Sequence, residues 1–360
     1  MNLHRRTLIA TLAAAGLSPA LAPAAAHAQW PFGLGRRRPQ APVEGRGPYM
    51  GAFRQQFGDW QFDQIRDAVS TRLQPVIRDG LETRFYAAAR ALTGASEVSA
   101  ALAEPGGAVW THDWRADAAA SPATPGWDGL AEAYLGTALM QMVQAGQVSL
   151  DDPLYRWAPQ EPQARWITVE DLLAHASGLP DAPPDPDGAP APMAFPPGSA
   201  WGRNPRNTAL LIQVLETVDE AAIDQILAAR IAERRDLGQT SFASEPGGVT
   251  VAAPALEVVR FGRDLLGDRL HGAAETRRRF YRLYGQPDVA GAYSGLAVQV
   301  ADLAADEAQA SDTWLGAWGP DDRSVLAYSM TTRATVAVAV RGQGSAASVA
   351  RALLNAVTPA

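Results

Sequence analysis

The chain has 360 residues and 47% of them are apolar, so it is long enough to bury a large core in one domain or in two closely packed domains. A formal net charge of -7 excludes nucleic acid as a default partner, because phosphate binding requires a basic surface. The sequence has no cysteine, which excludes disulfides and thiolate metal ligands, and all 31 basic residues are arginine, so there is no lysine.

The first 28 residues have the pattern of an export signal. A basic stretch from His4 to Arg6 precedes an apolar run from Leu8 to Leu17, and Ala26-His27-Ala28 forms a cleavage site of the usual small-residue type. Arg5-Arg6 followed by Thr, Leu and Ile resembles the twin-arginine pattern. The apolar run is too short to span a bilayer. We therefore predict that residues 1–28 are removed, that the protein has no stable membrane insertion afterwards, and that it is periplasmic or secreted.

The next elements are a linker, a helical region and a hairpin. Residues 29–48 are rich in glycine, proline and arginine, which predicts a flexible linker. Helical spacing follows over 50–92. Two short apolar stretches, Val98 to Ala103 and Ala108 to Trp114, flank a Glu-Pro-Gly-Gly turn at 104–107, and this pattern predicts a β-hairpin.

Between 123 and about 270 the spacing is mostly helical. Three helices are predicted there, namely Leu130 to Ala145, Val169 to His175 and Thr208 to Val218. A second hairpin is predicted from Val325 to Met330 and Ala334 to Val340, and a closing helix from Ser345 to Val357.

The loop from Asp181 to Pro197 contains Asp185-Pro186-Asp187-Gly188, which is similar to part of a calcium-binding loop. No glutamate stands at the distance that such a loop requires, and prolines crowd the ligand positions. We therefore predict no metal site and no cofactor.

The short helix that starts at Val169 has signals at both ends. Thr168 is expected to cap its first turn, and Gly178 ends the helical pattern. His175 and Ser177 stand at this end, and because residues two apart on a helix point away from each other, we interpret them as scaffold rather than as a catalytic pair.

Two segments carry a specific family resemblance. Gly146 to Pro153 reads Gly-Gln-Val-Ser-Leu-Asp-Asp-Pro, and Ile167 to Pro180 includes Leu-Leu-Ala-His-Ala-Ser-Gly-Leu-Pro. Together they resemble the class C β-lactamase and penicillin-binding-protein-like serine hydrolases. The likeness continues through 195–198, 236–242 and 258–266.

The resemblance implies an α/β (α+β) fold of the β-lactamase/penicillin-binding-protein type. An antiparallel sheet flanked by terminal helices is then expected from residues 49–122 and 286–360, and a helical subdomain from residues 123–285. In the family, the active cleft lies between these two parts.

The family's first catalytic element is a serine followed three residues later by a lysine, which helps to take the hydroxyl proton. By the family's spacing from Gly146, Gly129 stands in place of the serine and Glu132 in place of the lysine. Arginine cannot substitute for that base, because its guanidinium stays protonated at physiological pH. The resemblance therefore implies that the nucleophile and its base are both missing.

The other two elements are also absent. The family's Tyr-x-Asn motif corresponds to Arg203-Asn204-Pro205, in which Asn204 is displaced by one position and could still contact a ligand. Pro205 fixes the backbone there and removes a donor. The family's Lys/His-Thr/Ser-Gly motif corresponds to Leu315-Gly316-Ala317 or, in the other register, to Trp314-Leu315-Gly316, and neither contains a cation.

Three separate losses predict a catalytically inactive homologue that binds a peptidoglycan fragment or a protein partner in the old cleft. Glu132 and Arg203 have opposite charges where the family's lysine and tyrosine lie close together, so we predict an ion pair; the alternative is that both point to solvent. Trp314 and Trp318 are candidates to line the cleft, and core packing is the alternative for them.

Two other functions stay open. One is an active serine hydrolase with a relocated nucleophile, for which the candidate residues are Ser121, Ser177, Ser199, His112, His175 and His271. The other is a structural module that acts through surface contacts, with residues 29–48 giving it reach.

Overall fold

The structure is a computed structural model. It describes residues 78–104, 108–119, 123–180, 192–266, 270, 272, 283–286, 292–302, 313–319, 321–329 and 332–357. The predicted export signal, the linker and the first part of the 50–92 helical region lie outside the described residues, as do the calcium-like loop, Ser121 and His271.

The described strands are β1 (Ala95–Ala103), β2 (Val109–Arg115), β3 (Ser241–Glu245), β4 (Gly248–Ala252), β5 (Tyr284–Gly285), β6 (Ala292–Ser294), β7 (Gln299–Asp302), β8 (Thr313–Trp318), β9 (Ser324–Ser329) and β10 (Thr335–Gly342). Eight of them form one antiparallel sheet in the order β2-β1-β10-β9-β8-β7-β6-β5, and β3 pairs with β4 in a separate hairpin. The two hairpins predicted from sequence are confirmed as β1–β2 and β9–β10.

The described α-helices are α1 (Arg78–Ala91), α2 (Ala131–Gln144), α3 (Val169–Leu173), α4 (Pro205–Asp219), α5 (Ile223–Leu227), α6 (Ala255–Leu266) and α7 (Ala346–Leu354). The predicted helices are confirmed within a few residues at each end. A 3-10 turn over Asp128–Leu130 precedes α2, which therefore begins one residue later than the sequence pattern indicates.

The two faces of the large sheet bury different cores. Val98, Ala100 and Leu102 point from β1 into a cluster with α1 and α7, whereas Ala101 and Ala103 point into a larger cluster with the central helices. This alternation follows from the two-residue period of a strand. The predicted α/β fold is confirmed, with terminal helices on one sheet face and the central segment on the other.

The central segment is not packed as a separate unit. Helix α6 lies against β1 and β10, and its Gly262 leaves no room for a side chain beside Leu326 of β9. One cluster of buried side chains runs from α2 and α4 into the sheet. None of the helices in the described ranges is both long and apolar enough to cross a membrane.

Candidate functional site

The site is assembled at the turn that precedes α2. Trp127 anchors this turn, because its backbone N–H donates to Val251 O over 2.7 Å and its indole Nε1–H donates to Ala253 O over 2.8 Å. Gly129 lies in the turn, and Glu132 lies in the first turn of α2. The anchored turn therefore fixes both positions that correspond to the lost serine and lysine.

Gly129 is sealed by the end of β8. A Cβ placed on Gly129 would lie 2.5 Å from Gly319 Cα and 2.6 Å from Ser324 Oγ. Real Cβ contacts are not this short, and Gly319 offers only backbone, which does not move aside cheaply. The position that the family resemblance assigns to the serine thus has neither a hydroxyl nor the space for one.

Glu132 is held as an acceptor by three donors. The Arg203 Nη2 atom lies 3.2 Å from Glu132 Oε1, which is the ion-pair distance that the sequence-based hypothesis requires. His175 Nε2 lies 3.1 Å from Oε2, and Thr208 Oγ1 donates to Oε1 over 3.4 Å. The Glu132 side chain is 23% exposed, so these contacts are only partly screened by water.

His175 connects Glu132 to a buried hydrogen-bond chain. The Ser177 hydroxyl accepts from the Leu179 N–H over 3.1 Å and donates to Asn207 Oδ1 over 2.6 Å. The Asn207 amide then faces His175 Nδ1 at 3.3 Å. The other ring nitrogen, Nε2, is the one that faces the Glu132 carboxylate.

The surroundings lower the pKa of Glu132 from its usual 4.5 to about 2. Burial alone would raise this pKa, but the neighbouring His175 and Arg203, together with the Thr208 hydroxyl, outweigh that effect. A carboxylate with such a low pKa is a very weak base at neutral pH. Glu132 therefore does not replace the lysine as a proton acceptor.

Almost no free volume remains between these groups. A cavity of about 10 Å³ is bordered by Gly129, Glu132, His175, Trp201 and Arg203 on the helical side, with β6–β8 on the other. That volume holds at most about one water molecule. The described residues therefore leave no room for a ligand larger than water beside Glu132.

Arg203-Asn204-Pro205 begins α4. Asn204 is the N-cap: its Oδ1 accepts from Arg206 N over 2.8 Å, and its Nδ2 donates to Leu179 O over 2.8 Å. Pro205 occupies the first helical position, where its missing N–H costs nothing. Asn204 is buried and its amide is engaged in the cap, which corrects the expectation that it could contact a ligand.

Trp314 and Trp318 lie on the sheet face away from the cleft. Trp314 packs in the cluster with α1 and α7, with the Arg351 guanidinium 5.8 Å from its ring, and Trp318 packs against the same cluster. Leu315 and Ala317 point to the cleft side instead. Side chains alternate along a strand, so Trp314 and Trp318 point away from the cleft while Leu315 and Ala317 point toward it. The expectation that the two tryptophans line the cleft was wrong, and they pack in the core instead.

Gly316 is a close-packing position, because a Cβ there would collide with Leu326 O of the neighbouring strand β9. No described residue of β8 supplies a cation in either register of the third motif, since its sequence is Thr-Trp-Leu-Gly-Ala-Trp.

Within the described residues, no serine hydroxyl is hydrogen-bonded to a histidine. Both ring nitrogens of His175 contact Asn207 and Glu132. His112 Nε2 contacts Tyr86 OH at 2.8 Å, close to α1 on the far face, and the Ser199 hydroxyl donates to Pro196 O. The described residues thus contain no serine–histidine pair that would support a relocated nucleophile.

Among the described residues, no three or more acidic or histidine side chains lie close enough together to hold a metal ion.

Sequence reasoning missed three members of the site. His175 and Asn207 were not assigned to Glu132, and Gly319 was not recognised as the residue opposite Gly129. Asn207 follows Asn204 by three residues, which places it on the inner side of the first turn of α4, and this spacing is the signal that could have found it.

Comparisons with known proteins agree with this architecture. The sequence profile of the Beta-lactamase family matches residues 132–358. A search of curated proteins gave no match.

Solved structures share the fold at low identity. A D-stereospecific amidohydrolase from Streptomyces sp. is 18% identical, with 80% of this chain and 98% of that chain covered and a TM-score of 0.61. The D-amino acid amidase from Ochrobactrum anthropi SV3, complexed with L-phenylalanine, is 18% identical over 77% and 98% of the two chains, with a TM-score of 0.63. A penicillin binding protein from Bacillus halodurans is 17% identical over 76% and 98%, with a TM-score of 0.59.

The fold is therefore that of the penicillin-binding-protein and D-amino acid amidase structures. Because the profile covers more than half of the sequence, this chain belongs to the β-lactamase family. The matched region begins at Glu132, so Gly129 precedes it.

Proposed function

We propose that this chain is an exported, catalytically inactive member of the family that acts by binding. The observation that carries the proposal is the seal at Gly129, where the backbone of Gly319 occupies the space that a nucleophile side chain requires. A single substitution that restored the serine would still lack a place for its hydroxyl.

The chemistry around the seal supports the same conclusion. Glu132 is held by His175 and Arg203, and its pKa of about 2 makes it a poor base. A cavity of about 10 Å³ also excludes a substrate in this conformation, because it is the size of one water. Acyl transfer needs a nucleophile, a base and a place for the carbonyl carbon, and the described residues at the positions of the family's motifs supply none of the three.

The proposed partner is a peptidoglycan fragment or a protein. A fragment inside the old cleft would require the end of β8 to separate from the Gly129 turn, whereas a protein surface would not. Exposed aromatic side chains favour the protein partner: Tyr155 is 41% exposed and Trp166 is 38% exposed. The Arg165 guanidinium lies 4.1 Å from the Tyr155 ring. Tyrosine, tryptophan and arginine are the side chains most enriched at interface hot spots.

The test is intact-mass analysis of the mature protein after incubation with a serine-reactive fluorophosphonate and, separately, with a penicillin. We expect the mass to stay unchanged in a sample shown by circular dichroism to be folded. A stoichiometric adduct would contradict the proposal, and peptide mapping of it would name a nucleophile and establish the alternative serine hydrolase. The intact mass of protein isolated from the periplasm also tests export, because removal of residues 1–28 leaves Gln29 as the first residue.

A further inference from the structure

The two edges of the large sheet differ in length. At one edge, β5 has only two residues, and a very short edge strand is a usual protection against pairing with another chain. At the other edge, β2 has seven residues, contains neither proline nor glycine, and pairs with β1 one residue for one. Among the described residues, no strand pairs with the outer side of β2. This edge is therefore long, regular and without the usual protection.

The hydrogen bonds at the two ends of the β1–β2 hairpin determine which backbone groups of β2 face outward. Glu104 N donates to Ala108 O over 2.9 Å, and Ala116 N donates to Ser96 O over 3.0 Å. Hydrogen-bonded and non-hydrogen-bonded residue pairs alternate along an antiparallel ladder. Since both of these bonds join even-numbered residues of the observed register, the even-numbered residues of β2 bond to β1. The backbone N–H and C=O groups of its four odd-numbered residues therefore point away from β1.

These outward groups match those of a second copy of the same strand. Two identical edges related by a two-fold axis pair in an antiparallel way, and odd-numbered residues must then face odd-numbered residues. An axis at His112, the middle residue of β2, meets this condition and overlaps the whole strand. It places Val109 opposite Arg115 of the second copy and Thr111 opposite its Asp113. An axis at Asp113 would instead place two carboxylates opposite each other, which is destabilising.

The side chains of β2 support the axis at His112. Trp110 and Trp114 pack against the cluster behind the sheet, but neither is fully buried. With this axis, Trp110 lies opposite Trp114 of the second copy, and the symmetry forms the same pair twice. Cross-strand aromatic pairs stabilise a sheet and remove apolar surface from water. On the other face, Thr111 and Asp113 are exposed, so the threonine hydroxyl is free to donate to the opposite carboxylate.

We propose that β2 pairs with β2 of a second copy of this chain about a two-fold axis at His112, which joins the two large sheets into one. The inference goes beyond the proposed function and does not rest on it. Three strands, β1, β10 and β9, separate β2 from β8, which borders the small cavity beside Glu132.

Sedimentation velocity of the mature protein from about 1 to about 100 µM tests this assembly, and we expect a species of twice the monomer mass to dominate at the upper end. Thr111→Asp places like charges opposite each other at two symmetry-related points, so it should weaken the dimer at least about tenfold. Thr111→Lys places opposite charges there and should not weaken it. The matched control is Ser244→Asp, at an exposed position on the separate β3–β4 hairpin, which should leave the dimer unchanged.

Disulfide formation tests the register independently. The chain has no cysteine, so one introduced thiol is the only thiol in each copy. In His112→Cys the two Cα atoms would lie about 4.5 Å apart across the axis, within the range of a disulfide. In Asp113→Cys they would be about 8 Å apart, because the two residues are out of register, and no bridge could form without backbone movement. Under mild oxidation we expect a covalent dimer from His112→Cys and little from Asp113→Cys.

Circular dichroism establishes that each variant is folded. The proposal is wrong if the mature protein stays monomeric at about 100 µM, if folded Thr111→Asp dimerises as the unaltered protein does, or if Thr111→Lys weakens the dimer as much as Thr111→Asp. It is also wrong if Asp113→Cys forms a covalent dimer as readily as His112→Cys.

Discussion

At the residue scale, Glu132 stands where the family resemblance places a lysine, and the structure surrounds it with donors. Its carboxylate bonds to His175 and Arg203, which come from two different loops. Glu132 is thus an acceptor that connects these two loops to α2. We interpret Glu132 as a structural group in a former catalytic position.

Glu132→Gln tests this interpretation. The amide keeps the shape but removes the charge, leaving Arg203 and His175 without a carboxylate, so we expect a loss of about 2 kcal/mol in the free energy of unfolding at pH 7. Urea unfolding measures it. Arg156→Gln is the control, because Arg156 forms an ion pair with Asp152 on the surface and is 53% exposed; we expect a change below about 0.5 kcal/mol.

The difference between the two proteins should depend on pH. The pKa of Glu132 is lowered on folding, so its contribution to stability is complete above the unfolded pKa near 4.5 and disappears as the pH falls toward about 2. The advantage of the unaltered protein over Glu132→Gln should therefore shrink between those two pH values. A gap that stays constant over this range would contradict the assigned role.

Gly129→Ser tests the seal at the nucleophile position. The new side chain would press on Gly319 and Ser324, so we expect destabilisation by about 1–3 kcal/mol and no adduct with penicillin. Gly238→Ser is the matched control, because nothing lies within 4 Å of a Cβ at that position. An unchanged unfolding midpoint for Gly129→Ser would show that the end of β8 moves away easily and that the cleft can open.

The contacts of Glu132 could be predicted only in part from the sequence. Opposite charges at Glu132 and Arg203 were visible once the family spacing was applied, and the observed distance of 3.2 Å agrees with an ion pair. The contact with His175 was not visible, because His175 adopts a left-handed backbone conformation with φ of 52° at the end of α3. This backbone conformation changes the direction of the His175 ring, so helical spacing does not predict which residues the ring contacts.

At the element scale, sequence signals for helix ends were informative. Thr168 forms a capping box with Asp171: the Thr168 hydroxyl accepts from Asp171 N over 3.1 Å, and Thr168 N donates back to the Asp171 carboxylate over 2.9 Å. Gly146, with φ of 72°, adopts the left-handed conformation that favours glycine after a helix. These are local interactions, which explains why local sequence predicts them. At the end of α3 the left-handed conformation is taken by His175, with φ of 52°, so the expectation that Gly178 ends this helix was wrong.

Thr168→Val tests the contribution of this cap. Valine has the same shape but cannot accept from Asp171 N or donate to the Asp171 carboxylate, so we expect a loss of about 1–2 kcal/mol, measured by urea unfolding. Thr217→Val, on the exposed side of α4, should change stability by less than about 0.5 kcal/mol. Equal effects of the two substitutions would mean that the capping box does not stabilise α3.

The sequence predicted less well which face of the sheet each strand side chain occupies. The hairpins were predicted correctly, but the faces of Trp314 and Trp318 were not, because a pattern of apolar residues on both faces does not say which face meets the cleft. A shift of one residue reverses the orientation of every side chain in a strand.

At the scale of the whole molecule, the sheet joins the two ends of the described chain. Strand β1 pairs with β10 from Ala95 to Ala103, and α6 of the central segment covers both strands. Since one core runs through the sheet and the central helices, the parts depend on each other.

We therefore expect a single cooperative unfolding transition. Circular dichroism at 222 nm follows mainly the helices, and tryptophan fluorescence reports on the ten tryptophans of the chain, among them Trp127 in the central core and Trp314 behind the sheet. Their midpoints in urea should coincide. Two separated midpoints would show that the central segment unfolds on its own, as a division into independent subdomains requires.

The sequence by itself determined the family and the main helices and hairpins, because each is encoded in short segments whose spacing and end signals act locally. Tertiary structure alone decided that Gly319 fills the space at Gly129, that His175 bonds to Glu132, and that Trp314 lies behind the sheet. These contacts join residues far apart in the chain, and their geometry depends on strand register and backbone turns that composition and periodicity do not specify.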